Sequence, residues 1–240
     1  MANLTGPAVI TGQHLFSSST TASHDVGQLG VDNYGRKYRY VKAGASALVV
    51  GNVIQGPARD TQFTDMAVAS AAAIGDRVLN LTNGTTTTTL NGFKGGEAVV
   101  SVTPGLGQVF KIAGNTVATS GAALQVTLEE PIRVALTTSS KITLHFNDYL
   151  GVVQSPTTRT GKTVGVAIYP IAASEYGWIQ SGGPSAALSD ATVAALGEGL
   201  SPSTTTAGAT TKAVTLLERI GTASILQVSA KVEPIFLEID

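Results

Sequence analysis

The sequence predicts an all-β protein built from small antiparallel β-barrel or sandwich domains, with long loops and little helix. Runs of alternating polar and apolar residues outnumber helical patterns along the 240 residues. Residues 141–146 alternate without a break, which is typical of a strand with one face in water. The runs are separated by turns that contain Gly92, Gly95, Gly96, Pro104, Gly105, Gly114, Asn115, Gly121, Gly182 and Gly183. Such punctuation is typical of antiparallel strands.

The first residues of the chain show no sustained period, so the sequence predicts an extended N-terminal arm over residues 1–24. The arm is polar and rich in hydroxyl groups, but it contains two neighbouring apolar residues, Leu15 and Phe16. An extended segment can add backbone hydrogen bonds to an exposed sheet edge while such side chains fill pockets. We therefore expect the arm to become ordered on a partner protein, with Leu15 and Phe16 as its attachment points.

The strand predicted after the arm carries four basic residues between positions 36 and 42. Edge strands use Lys and Arg to discourage pairing with other chains, so this pattern predicts the solvated face of an edge strand. Residues 65–74 allow two interpretations. The segment is rich in alanine and is closed by Gly75, which favours a helix, yet residues 66–69 can equally form a strand before a turn.

Further strands are predicted from alternation and from β-branched or apolar composition. They cover residues 99–102, 108–112, 125–128, 132–136, 164–171, 186–200, 214–217 and 235–239. Two threonine-rich runs, 85–89 and 201–206, have strand propensity but little to bury. We therefore expect exposed hairpin tips or loops at both.

The segment 174–184 carries the only tryptophan of the chain, between turns of small residues. Tyr and Trp fill a core or an interface, and glycine lets a second backbone approach closely. The sequence therefore predicts that Tyr176, Gly177, Trp178 and Gln180 pack either in the core or at an interface between subunits. Both interpretations assign the segment to packing rather than to chemistry.

Internal similarity predicts the domain organisation. Residues 44–53 resemble residues 183–200, since both contain a small-residue strand followed by a glycine turn. This match predicts one main β domain made of residues 25–58 and 150–240. Residues 59–149 would then form an inserted β domain.

Composition excludes several classes of partner. Charged residues make up 13% of the chain and the net charge is −1, whereas an average domain has about 25% charged residues. The chain lacks the cluster of cations that nucleic-acid binding requires. It has no cysteine, no run of about 18 apolar residues and no secretion signal at its start. We expect synthesis in a cytoplasm, no membrane or nucleic-acid partner, and a place inside a larger assembly.

The motifs that suggest catalysis fail on their spacing. Residues 160–163 read Thr-Gly-Lys-Thr, but a phosphate-binding loop needs a glycine where this chain has Pro156. Ser23, His24 and Asp25 are consecutive, whereas the members of a hydrolase triad come from separate elements. The three histidines lack metal-ligand spacing. We therefore expect a protein that is not an enzyme and needs neither cofactor nor metal.

Several motifs together resemble virion proteins of tailed phages. The motifs lie at residues 35–44, 66–82, 107–112, 128–132, 147–153, 176–180 and 234–237. They span most of residues 30–240 and are structural rather than catalytic. The chain is similar to the head decoration, or cement, proteins that coat the outside of a capsid shell.

The resemblance implies a non-catalytic, mostly β protein that clusters over junctions between capsid subunits, often as a trimer, and reinforces the shell. The implied partners are the major capsid protein and further copies of this chain. The implied place is the outer capsid surface of a virion whose proteins are made in a bacterial cytoplasm. The alternative is a head fibre or adhesin that binds host glycans. Its expected aromatic residues are scarce here, at 5% of the chain.

Overall fold

The computed structural model describes residues 7–10, 12–214 and 218–240. The fold is all-β, as the sequence predicted. The chain divides into two compact units. Unit 1 consists of Met1–Ala58 and Asp148–Asp240, and unit 2 consists of Arg59–Asn147. The sequence-based prediction for the inserted domain was residues 59–149.

Helical structure within the described residues is limited to α1 (Gly12–Leu15) and one turn of 3-10 helix (Thr61–Phe63). The strands, numbered in chain order, are β1 (Ala8–Val9), β2 (Leu29–Val31), β3 (Lys37–Ala43), β4 (Val53–Gln55), β5 (Met66–Ala67), β6 (Val78–Thr82), β7 (Glu97–Val102), β8 (Val109–Asn115), β9 (Ala123–Leu128), β10 (Lys141–His145), β11 (Leu150–Gln154), β12 (Thr163–Ala167), β13 (Tyr176–Leu188), β14 (Gly199–Pro202), β15 (Thr210–Lys212), β16 (Gly221–Ala223) and β17 (Val232–Glu238). Residues 176–184 of the predicted packing segment belong to β13, which is 13 residues long.

Five strands of unit 1 pair into a closed ring, called barrel A. Their order is β3, β11, β4, β12 and β13, and β13 pairs back to β3. All of these pairs are antiparallel except β3 with β11. Because side chains alternate between the two faces of a strand, every second residue points into the ring. The buried cluster contains Val41, Ala43, Leu48, Ile54, Val152, Val164, Ala167, Ile171 and Ile179.

The second half of β13 begins another ring, called barrel B. Its order is β13, β17, β16, β14 and β15, and a parallel bridge between Ser189 and Thr210 joins β15 back to the end of β13. The order and directions repeat those of barrel A, with β15 in the place of β11. The buried cluster contains Val53, Val166, Ala187, Ala194, Leu200, Ile220, Ala223, Ile235 and Leu237. Since Val53 and Val166 come from β4 and β12, the outer face of barrel A completes the core of barrel B.

Unit 2 is a six-stranded antiparallel barrel with its own core. The order is β5, β10, β7, β8, β9 and β6, and a bridge between Val68 and Leu81 closes the ring. Phe63, Phe93 and Phe146 pack together with ring centroids 4.6, 4.8 and 5.5 Å apart. Aromatic pairs of this kind contribute about 0.5–1.5 kcal/mol each beyond the buried area. A core of this kind is what an inserted domain needs for stability of its own.

Strand β3 is not the edge strand that its basic residues predicted. It pairs along its length with β13, and at its two ends with β2 and β11. The prediction was wrong because the cations have partners within the chain. Arg36 lies 2.6 Å from a carboxylate oxygen of Asp32, and Arg39 lies 2.7 Å from one of Asp240. Because these charges are paired within the chain, β3 can lie between other strands instead of at an edge where water would solvate its cations.

The alanine-rich segment 65–74 follows the strand alternative rather than the helical one. It contains β5 and then two residues, Val68 and Ala72, in isolated bridges. The partner of Ala72 is Leu136, the end of the predicted strand 132–136. That prediction was wrong, because Ile132 and Leu136 are buried anchors of a loop and only this single bridge forms.

One predicted strand, residues 214–217, lies mostly outside the described residues. Val214 itself belongs to no strand. The predicted strand 186–200 was wrong, because this run contains the end of β13, a loop and the start of β14. The remaining predicted strands match observed ones to within a few residues, including 99–102 in β7 and 125–128 in β9.

Candidate interaction surface

Tyr176 and Trp178, the aromatic residues of the segment 174–184, lie in the first half of β13, where Trp178 is buried and Tyr176 is partly buried. Trp178 is 2% exposed, and its ring lies 5.1 Å from that of Tyr40 in an edge contact. Tyr176 stacks on Tyr40 with ring centroids 6.1 Å apart. Because the indole is buried within a single chain, Trp178 packs in the core and not at an interface between subunits.

Gly177 and Gln180, predicted to pack in the core or at an interface between subunits, are both buried within the chain. A Cβ on Gly177 would lie 2.7 Å from Cδ1 of Ile171, so this position has no room for a side chain. The amide of Gln180 donates to the carbonyl oxygens of Gly182 at 3.0 Å and Pro184 at 2.7 Å. These bonds hold β13 where it passes from barrel A to barrel B.

The N-terminal segment, described at residues 7–10 and 12–24, covers the aromatic cluster and is not a free arm. Leu15 is 2% exposed and packs with Ile10 against the tryptophan and its tyrosine neighbours. Ser19 exchanges two backbone hydrogen bonds with Tyr176, of 3.0 and 2.8 Å. The prediction that Leu15 binds a partner was therefore wrong, because its apolar side chain is satisfied within its own chain.

Space for the N-terminal segment comes from a missing side chain in β2. A Cβ on Gly30 would overlap the side chain of Ile10 and approach Trp178 to 2.9 Å.

Phe16, the second predicted attachment residue, is 56% exposed and meets Tyr169 edge-on at 6.5 Å. Of the two predicted residues, only Phe16 is available to another molecule in this conformation.

A sheet face of barrel B is apolar and exposed, and we call it the β13–β17 face. It consists of three directly opposed residue pairs: Pro184–Phe236, Ala186–Pro234 and Leu188–Val232. Val232 is 50% exposed and Phe236 is 45% exposed. The alternate residues of β17, Ile235 and Leu237, are buried in the core of barrel B. Sequence reasoning missed this face because residues 234–237 of β17 are apolar on both sides of the strand, so the sequence pattern does not reveal which side meets water.

The β13–β17 face contains no charged residue, and charges stand only at its ends. Beyond Phe236, Glu238 pairs with Arg219 at 3.2 Å. Before Val232, Lys231 is exposed in the preceding turn. Removing such a face from water stabilises a complex by roughly 25 cal/mol per Å² of apolar area.

Titratable groups near β3 stabilise the fold through internal pairs. Burial opposes ionisation of Asp32, but hydrogen bonds from the Arg36 side chain and from backbone N–H groups outweigh it and hold the pKa of Asp32 below its ordinary value. Burial also raises the pKa of Tyr38 to about 12. At Asp240, burial is likewise outweighed by the bonds from Arg39, and the pKa of that carboxyl is lowered.

Ser23 and His24, two members of the consecutive Ser-His-Asp run, contact the aromatic cluster of barrel A. The ring of His24 lies 5.1 Å from that of Trp178, and Oγ of Ser23 lies 3.2 Å from the hydroxyl of Tyr40. Gly161, in the run that resembles a phosphate-binding loop, approaches a neighbouring backbone so closely that a Cβ would overlap the carbonyl oxygen of Gly56.

Across residues 7–10, 12–214 and 218–240, no group of three His, Cys, Asp or Glu side chains is placed to hold a metal ion. The same residues contain no helix of the length and hydropathy needed to cross a membrane.

No protein-family model, curated protein or solved structure matches this chain.

Proposed function

We propose that the protein is a non-catalytic structural subunit that decorates the outside of a tailed-phage capsid shell and stabilises it. The observation that carries the proposal is the β13–β17 face, which is uncharged, apolar and exposed. Patches of this kind on soluble proteins mark sites of contact with other proteins. The motifs that resemble decoration proteins include residues 176–180 and 234–237, which lie on the two strands of unit 1 that form this face.

The weak binding expected of a single β13–β17 face favours a subunit that acts as part of an oligomer. Full burial of a Val or Phe side chain stabilises by roughly 1.5–3 kcal/mol, and Val232 and Phe236 are already half buried. Association costs about 4–15 kcal/mol in lost freedom of motion. One face therefore binds weakly. An oligomer such as a trimer raises the overall affinity by roughly 10² to 10⁴ through its effective concentration.

Binding to capsid shells that lack the protein tests the proposal. We expect purified protein to co-sediment with such shells until their sites are saturated, and to make them more resistant to heat. Electron microscopy should then show added density at regular positions on the outer surface. Absence of binding contradicts the proposal. Density confined to the tail tip of complete particles supports the adhesin alternative instead.

A screen for enzyme activity tests the non-catalytic part of the proposal. We expect no turnover of peptidoglycan, polysaccharide or nucleotide substrates by the purified protein. Turnover that disappears when a single acidic residue or histidine is replaced would show that the protein is an enzyme.

A further inference from the structure

The two barrels of unit 1 correspond residue by residue, not only in strand order. Gly51 and Gly197 stand at the same place in the two barrels, with φ angles of +81° and +80°. Ser174 and Ala230 form a second such pair, with the uncommon non-glycine φ values of +63° and +60°. Gly165 on β12 and Gly221 on β16 form a third such pair, since each packs closely against the neighbouring backbone. The barrels are therefore structural repeats that share β13.

The correspondence assigns every residue of the β13–β17 face to a residue of the covered aromatic face of barrel A. The opposed pairs correspond in this order: Tyr38–Gln180 to Pro184–Phe236, Tyr40–Trp178 to Ala186–Pro234, and Lys42–Tyr176 to Leu188–Val232. The registers of the two strand pairs are the same along all three pairs. The two faces are therefore equivalent positions of one repeated architecture.

The two equivalent faces differ in what covers them. The N-terminal segment lies over the face of barrel A and places Ile10 and Leu15 in its aromatic cluster. Barrel B begins with β13, the last strand of barrel A, so no segment of its own precedes it. Among the described residues, none covers Val232 and Phe236 to a comparable extent.

The backbone of the open face is oriented to accept an added segment. The N–H of Leu188 donates to the carbonyl of Gly51 at 2.8 Å rather than to its opposed residue, Val232. In an antiparallel ladder, the residues of a non-hydrogen-bonded pair direct their N–H and C=O groups away from each other. Tyr176 uses groups in the equivalent position for its two bonds to Ser19.

We propose that the β13–β17 face binds an extended segment of the shell protein, in the way that the N-terminal segment covers barrel A. This inference rests on the proposed function. The bound segment places apolar side chains over Pro234 and Phe236 and forms a backbone bridge at Val232. The N-terminal segment of a second copy is not the source, because it already covers the aromatic face of its own chain.

Photo-cross-linking identifies the occupant directly. Replacing Phe236 with p-benzoylphenylalanine puts a photoreactive ring on the face, and decorated shells are irradiated and analysed by mass spectrometry. We expect a cross-link to one segment of the shell protein. The same replacement at Leu90, an exposed residue of unit 2, is the control and should not give that product. A cross-link to a second copy, or no cross-link on decorated shells, overturns the inference.

Affinity measurements separate this inference from the proposed function. We expect Phe236→Asp to weaken binding to shells by at least about tenfold, which corresponds to the loss of one good apolar contact. Leu90→Asp introduces the same charge at an exposed site elsewhere and should bind like the wild type. Wild-type protein that fails to bind shells contradicts the proposed function. Wild-type protein that binds, together with an equally tight Phe236→Asp variant, contradicts this inference alone.

Discussion

Single residues determine where the N-terminal segment can lie. Gly30 leaves the space that Ile10 occupies, and Trp178 supplies the surface under both. The hydroxyl of Tyr38 donates to Asp32 at 3.2 Å, which ties the aromatic cluster to the ion pair with Arg36. Packing and charge pairing therefore meet at the same few positions.

Truncation of the tryptophan should destabilise the protein without changing its oligomeric state. Trp178→Ala removes a side chain that is 2% exposed, and large-to-small changes of this type cost about 3–5 kcal/mol. The free energy of unfolding is measured by urea titration, and oligomeric state by light scattering. Tyr34→Ala, at an 85% exposed position, is the control and should cost less than about 0.5 kcal/mol. Equal stability of the two variants would show that the indole is not part of the core.

Acid should weaken the fold through Asp32. Because the pKa of this carboxyl is lowered in the folded protein, its stabilising contribution is complete above the ordinary value of about 4 and is lost as pH falls through the folded value. We expect Asp32→Asn to lower stability at pH 7 and to reduce the dependence of unfolding free energy on pH below about 4. Urea titrations across this range provide the measurement. Parallel pH profiles for the variant and the wild type would contradict the assignment.

At the scale of elements, β13 organises unit 1. Its first half closes barrel A against β3 and its second half opens barrel B against β17. Gly165 on β12 packs closely against β13, and Gly221 on β16 packs in the equivalent way against β17. A Cβ on Gly165 would lie 2.5 Å from the carbonyl oxygen of Gln180, and one on Gly221 would overlap that of Phe236. These are the equivalent glycines of the two repeats.

Adding one methyl group at either glycine should destabilise unit 1. We expect Gly165→Ala and Gly221→Ala each to cost about 1–3 kcal/mol, since overpacking against a fixed backbone cannot relax. Gly12→Ala has nothing within 4 Å of the added atom and should change stability by less than about 0.5 kcal/mol. Thermal unfolding of the three variants provides the comparison. Neutral substitutions at both strand glycines would show that the two strands have room for an added methyl group.

At the scale of the whole molecule, unit 2 is inserted between two points of unit 1 that lie close together. A Cβ on Gly56 would be 2.7 Å from the carbonyl oxygen of Asp148, so the chain leaves unit 1 and returns to it at adjacent positions. Unit 2 buries its own core, and unit 1 completes its barrels from residues on both sides of the insertion. Neither unit depends on the other for a closed ring of strands.

Removing the insertion should leave unit 1 folded. We expect a protein in which a short Gly/Ser linker replaces Arg59–Asn147 to unfold cooperatively, because the two connection points already lie together. If attachment uses the β13–β17 face, this variant should also still bind capsid shells. Circular dichroism and co-sedimentation measure the two properties. A shortened protein that is unfolded would show that unit 2 is required for the core of unit 1.

The sequence predicted strand structure for much of the candidate surface, but it did not predict that the surface is exposed. The sequence correctly predicted packing for Gly177, Trp178 and Gln180 and a strand over residues 235–239. The predicted similarity of residues 44–53 to residues 183–200 was correct only in part. Gly51 and Gly197 are equivalent in the two barrels, but residues 184–188 are equivalent to residues of β3 and not to residues 44–48. Nothing in the sequence indicated that one repeat is covered by the N-terminal segment while the other is open.

The sequence by itself determined the fold class, most strand positions and the packing role of Trp178, because alternation, turn chemistry and side-chain size act over a few neighbouring residues. Only the tertiary structure decided that β13 is shared, that β3 is an inner strand, and that Leu15 is buried while Phe236 is exposed. Strand partners lie far apart along the chain, and the exposure of a side chain depends on what distant residues place over it.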